Sequence, residues 1–284
     1  EVGPRVEAVD RLEDRFAALA FGPAQVADAL LQPVVIPPAN VRGLEEEDAR
    51  AFDNGPVPYR IGVKLVAPGG AITSEADGLW DVLADGTQTW TVRIEVPTAL
   101  GTSLEFENLD LPAGSVVLIR GEDGTVQAWE GRGPNNNGYL QTPIVTGPWA
   151  EVQYVAPAGV QGAPGIMISS VSHLYRLGSI LPQGEEEARE GDERVDLACH
   201  EDVMCHTPDT IARDSVGAMF FSGGVVCSGG LLADQDPNTS KGWFLTANHC
   251  LSTQGAVNSL TVYWKYQKAG CAGATPNINL LPRS

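Results

Sequence analysis

Apolar positions recur every second residue through much of the chain after position 59. Segments 59–66, 88–96, 103–107, 115–120, 125–129, 139–145, 151–155 and 166–175 carry this alternation, and Gly, Pro or Asn clusters separate most of them. The clearest example is 89–96, which sets Trp90, Val92, Ile94 and Val96 on one face. Positions 111–114 and 121–124 are turn sequences, with Gly114 and Gly124 free to adopt positive φ. Short strands in this number, with no helix-length segment between them, predict a β-sandwich over 55–182 and exclude a doubly wound sheet.

Residues 1–54 predict a partly helical extension. Val6, Val9, Phe16 and Ala20 are spaced for a short amphipathic helix, Pro33, Pro37 and Pro38 break the chain after it, and 44–52 predicts one or two further helical turns. Its acidic run, Glu45 to Asp48, reads as a solvated face. Beyond Leu181 and Pro182 the pattern vanishes: seven of the twelve residues from 185 to 196 are acidic and almost none is apolar. Such a stretch cannot bury enough surface to offset its ordering entropy, so 183–198 reads as an exposed, cleavable linker. Strand patterning returns in the last unit, 199–284, at 216–221, 225–232, 242–246 and 260–266.

Charge divides the chain the same way. The formal net charge is −18, whereas 199–284 carries 6 acidic and 5 basic side chains, so about −17 resides in 1–198. That excess argues against nucleic acid and anionic membrane surfaces as partners. No apolar run approaches membrane-spanning length. The first residue is Glu1, and the start is read as trimmed, as signal-peptide removal would leave it.

The chemistry concentrates in the last unit. All five cysteines lie there: Cys199, Cys205, Cys227, Cys250 and Cys271. The apolar run Trp243, Phe244, Leu245 leads into Thr246, Ala247, Asn248, His249 and Cys250. A histidine at the end of a short buried strand, held by a disulfide at the next residue, suits a general base that must stay within hydrogen-bonding distance of a hydroxyl. The plain alternative is a half-buried structural histidine. The pairs Cys199–His200 and Cys205–His206 raise a zinc reading, but their spacing is wider than structural zinc sites use. Ser222-Gly223-Gly224 and Ser228-Gly229-Gly230 superficially offer nucleophiles, yet both precede His249 and read as strand glycines.

These segments resemble the first β-barrel of trypsin-like serine proteases, where a Cys-x-Gly-x-Leu strand and a Thr-Ala-x-His-Cys turn carry the catalytic base. With Cys199 and Cys205 upstream and 262–267 followed by Cys271 downstream, 199–271 resembles the bacterial lysyl endopeptidase branch; from Ala272 onward the likeness is expected to stop. The resemblance implies that Cys227 pairs with Cys250 and Cys205 with Cys271, while the partner of Cys199 belongs to a second barrel. Disulfides imply an oxidising compartment, hence a secreted protein. The first module resembles the pro-region of such zymogens in Pro58 to Gly62, Trp90 to Ile94, Leu109 to Ser115 and His173 to Arg176. His173, Trp129, Tyr139 and Trp149 offer a competing reading as a sugar-binding face, with core and edge packing the plainer one.

The expected whole is therefore mainly β: a β-sandwich pro-region followed by the first β-barrel portion of a chymotrypsin/trypsin-like fold. The implied function is peptide hydrolysis after Lys or Arg by a Ser-His-Asp triad of which only His249 is present. Residues 250–284 contain no Asp, no Glu and no Gly-Asp-Ser-Gly or Gly-Ser-Ser-Gly, so the chain alone is expected to be inactive. Polypeptide substrates, and the pro-region bound to its own protease domain, are the implied partners; no metal or organic cofactor is implied. The alternative is a secreted pseudoprotease or a surface- or carbohydrate-binding sandwich. The only lysines are Lys64, Lys241, Lys265 and Lys268, so the linker presents Arg189 and Arg194 as candidate processing sites.

Overall fold

The computed structural model describes residues 31–53, 57–177, 202–206, 210–233, 238, 242–271 and 273–284. The helix expected over 6–20, the linker 183–198 with Arg189 and Arg194, and Cys199 with His200 lie outside the described residues.

Two antiparallel-rich sheets form the first unit. Gln88–Glu95 and Trp149–Ala156 pair along their whole length at the centre of one sheet, flanked by Val34–Val35, Leu79–Val82, Val116–Arg120 and Val126–Trp129. In the other, Met167–Leu174 is the hub for Gly62–Leu65, Ile72–Thr73, Gly101–Thr102 and Leu104–Phe106, with Leu140–Gln141 and Val145–Thr146 outermost. Trp90, Val92, Ile94 and Val96 are all at 0% exposure and share one core with Leu104, Phe106 and Ile168 of the facing sheet. Period-two alternation therefore identifies the inward face correctly, and the chain is mainly β as expected.

Several expected elements change when packing acts on them. Segment 139–145 is two short strands, because Pro143 cannot donate to a ladder. Val34–Val35, Ile72–Thr73, Leu79–Val82 and Gly101–Thr102 fall outside the expected strands; they are too short to show a period and owe their pairing to neighbours. The helix is longer than the one or two turns expected, spanning Val41–Asp53. Asn40 caps it by accepting the Gly43 N–H. Nor is its acidic run simply a solvated face. Asp48 binds Arg60 at 2.8 Å and Arg176 at 2.6 Å, and Glu47 reaches Arg60 at 3.2 Å, so the helix is clamped to the sandwich.

A further correction concerns 59–66. Tyr59–Arg60 leaves the sandwich and pairs with Val225 and Val226 of the last unit, while Gly62–Leu65 stays in the sandwich sheet. The chain turns at Ile61, where the N–H groups of Ile61 and Gly62 both donate to the Gly224 carbonyl, at 2.7 and 3.1 Å.

The last unit is a curled sheet, half of a barrel, in the order Trp243–Leu245, Val225–Leu232, Val216–Phe221, Thr261–Trp264. Residues 282–284 run beside the last of these, with Val262 donating to Ser284 and Trp264 to Pro282, each at 2.8 Å. A second core joins the units: Ile61, Ile144, Leu174 and Leu177 from the sandwich pack with Phe220, Tyr263 and Ile278.

Candidate functional site

His249 is positioned from the strand upward. Val225–Leu232 pairs antiparallel with Trp243–Leu245 through Gly230, Leu231 and Leu232. Gly229 is required beside this ladder, because a Cβ there would lie 2.4 Å from the Phe244 ring. The ring instead lies against the strand and meets Trp264 edge-on, with centroids 5.9 Å apart. The Thr246 hydroxyl donates to the Ser228 carbonyl at 2.9 Å, and the N–H groups of Cys250 and Leu251 both reach Ala247 O. Cys250 is buried and disulfide-bonded to Cys227, so the turn is tied to the neighbouring strand on both sides of the histidine.

The imidazole itself is exposed. It stands on a turn held on one side by the Thr246 hydrogen bond and on the other by the Cys227–Cys250 bond. The strand ahead of it is not buried as expected: Trp243 and Leu245 are 58% and 59% exposed, because this edge strand has a partner on one side only among the described residues. Cys227, His249 and Cys250 place their ligand-type atoms within 4.8 Å of one another. Both sulfurs are spent in the disulfide, so no thiolate is on offer to a metal. Cys205 is bonded to Cys271, and Asp202 caps the short turn that carries Cys205. These bonds are the same two pairs that the resemblance implies. Ser222 and Gly223 are turn residues rather than strand residues, with φ of 51° and 69°. Ser228, Gly229 and Gly230 do lie in a strand. An open cavity of about 470 Å³ beside the curled sheet is walled by Ile144, Met219, Phe220, Val226 and Tyr263, and His249 is not on its wall.

Residues 195–281 match the family model described as lysyl endopeptidase, C-terminal domain. The match supports the lysyl endopeptidase family. It contains His249, both disulfides and the whole half-barrel. It also corrects the expected limits of the likeness, starting four residues before Cys199 and running ten beyond Cys271, so the likeness does not stop at Ala272. No solved structure matches the chain.

Outside the matched segment, the four residues considered for a sugar-binding face are each engaged in packing or hydrogen bonds. His173 is fully buried, with Nδ1 accepting the Ala39 N–H at 3.0 Å. Burial pushes its pKa down, partly opposed by the Thr98 backbone. Trp149 lies beneath the Arg93 guanidinium at 4.1 Å, Trp129 packs on the sandwich core, and the Tyr139 hydroxyl donates to Glu105 at 2.6 Å.

That last contact belongs to a cluster that sequence reasoning missed. Glu105 also accepts from Lys64 Nζ at 2.6 Å and from the Ser170 hydroxyl. Burial pushes the Glu105 carboxyl up, but the hydrogen bonds from Lys64, Ser170 and Tyr139 outweigh it and hold it below the usual carboxylate range. Burial, with the same bond, pushes the Tyr139 phenol well up. Nothing local signals this cluster, since Glu105 occupies an ordinary polar position between Leu104 and Phe106.

Proposed function

We propose that this chain is the N-terminal portion of a secreted serine endopeptidase zymogen that cuts polypeptides after basic residues. The match to the lysyl endopeptidase C-terminal domain supports a serine-protease-related protein, and two disulfides agree with an extracellular setting. The observation that carries the catalytic reading is His249, exposed on a turn that the Cys227–Cys250 bond pins to the adjacent strand. In this reading His249 takes the proton from an attacking serine hydroxyl as that oxygen bonds to the substrate carbonyl carbon. It then returns the proton to the leaving amine as the C–N bond breaks. An aspartate would orient the imidazole; residues 250–284 supply neither aspartate nor the serine motif.

The family name favours Lys over Arg at the cut. In the same reading residues 55–182 are the pro-region, and release occurs after Arg189 or Arg194, since no lysine lies between Lys64 and Lys241. N-terminal sequencing of the secreted protein checks that assignment: a mature chain starting upstream of Arg189 overturns it.

The activity test uses the full natural reading frame that contains these residues. Its product should hydrolyse Lys or Arg amides, and His249→Ala should lower kcat/KM by at least about 10⁴-fold. The 284-residue chain should show no turnover above background. Turnover indifferent to His249→Ala overturns the role given to the histidine; a natural product with no turnover favours the pseudoprotease reading.

A further inference from the structure

The Val225–Leu232 strand has two edges. One pairs with Val216–Phe221 over residues 225–230. On the other, residues 230–232 bind Trp243–Leu245, the strand that leads to His249, and residues 225 and 226 bind Tyr59–Arg60 of the sandwich. The stretch of edge beside Cys227, whose sulfur is bonded to the residue after His249, is therefore filled by a strand donated from the other unit.

The donation is built in detail. The hairpin turn at Ser222 and Gly223 lies over the outer face of the sandwich sheet, where a Cβ on Gly223 would stand 2.6 Å from Ser172 Oγ. A Cβ on Gly224 would stand 2.2 Å from the Gly62 carbonyl oxygen, so only glycine permits this approach. The Gly224 carbonyl then takes both the Ile61 and Gly62 N–H groups. Arg60, which belongs to the donated strand, is fixed from behind by Asp48 and Glu47 of the Val41–Asp53 helix. Away from the strand, the Ile144 N–H donates to the Tyr263 hydroxyl at 2.9 Å, and Asn279 Nδ2 donates to Asp123 and Thr146, each at 2.8 Å. These contacts surround the shared apolar core.

We propose that Tyr59–Arg60 is an internal strand plug: the sandwich remains docked on the half-barrel after the linker is cut, and it keeps the Val225–Val226 edge closed to any other extended polypeptide. Main-chain pairing to a sheet edge is a general way of binding extended peptides with little regard to sequence, so an occupied edge excludes a second peptide. The plug rests on the protease reading only for its consequence, which is to delay substrate access; the docking stands on the contacts alone.

The test is a version of the full chain with a sequence-specific cleavage site placed between Gly184 and Ala198. After cutting, the two pieces should elute together on gel filtration, and the Ile61 and Gly62 amides should stay protected from hydrogen exchange as in the uncut chain. Gly224→Ala, a change that meets only the partner's backbone, should separate the cut pieces and raise exchange at those two amides by at least tenfold. A synthetic peptide of residues 58–65 should bind neither the cut wild-type complex, whose edge is occupied, nor the Gly224→Ala C-terminal piece, whose new Cβ meets Gly62. Separation of the cut wild-type pieces, or unprotected Ile61 and Gly62 amides in the uncut chain, would overturn the plug. Turnover indifferent to His249→Ala, which overturns the catalytic reading, would leave these results unchanged, so the two proposals fail separately.

Discussion

Glu105 shows how one side chain can hold a sheet together from its outer face. Its carboxylate receives Lys64, Tyr139 and Ser170, three residues brought from separate segments. Its folded pKa is depressed, so its stabilisation is present above the ordinary carboxylate range and is lost as pH falls through the lowered value. Glu105→Gln keeps the shape and removes the charge, leaving Lys64 without its counter-ion. We expect a loss of about 2 kcal/mol at neutral pH, reduced from the fully buried case because the Lys64 side chain is 32% exposed. Urea denaturation of both proteins across the acid range checks this, because the gap between them should close as pH falls. A gap that stays constant with pH would show that the charge contributes nothing.

At the scale of the element, the strand before His249 depends on a residue it does not contain. Trp243–Leu245 is three residues long and has two exposed side chains, so its own burial cannot hold it. Phe244 does so by lying over Gly229 and against Trp264. Gly229→Ala forces the ring away, which should cost about 1–3 kcal/mol as an overpacking change and loosen the His249 turn. Faster exchange at the amides of Cys250 and Leu251, both bonded to Ala247 O, is the expected readout. Unchanged exchange there, with the ring accommodated elsewhere, would refute the dependence.

The whole molecule divides its stabilisation unevenly. The sandwich contains no cysteine and relies on a core of fully buried side chains such as Trp90, Phe106 and Tyr154. The half-barrel leaves Leu231, Leu232, Trp243 and Leu245 exposed and is stapled by bonds spanning 66 and 23 residues. Chain-entropy reasoning assigns these about 4 and about 3 kcal/mol. Reductant should therefore unfold the C-terminal unit at lower urea while the sandwich keeps its own transition. A single transition insensitive to reductant would contradict that division. The docked interface adds to the weaker unit, which makes the sandwich a support for it as well as a cover.

By itself the sequence determined the inward faces of the strands, the mainly β class and the His249–Cys250 turn. All three rest on local signals: a period of two, turn glycines, and a short motif whose residues are adjacent in the chain. Trp90, Val92, Ile94 and Val96 could be assigned to the core because each lies two residues from the next. The tertiary structure alone decided the rest. That 59–66 divides between two sheets depends on Gly224, far along the chain, and no local pattern distinguishes Arg60 from Lys64. The pinning of the acidic helix to Arg60 and Arg176, the cluster around Glu105 and the meeting of Ile144 with Tyr263 likewise join distant positions of ordinary local character. Exposure of the histidine strand arose from how many neighbours the folded sheet supplies, a quantity that hydrophobic alternation cannot encode.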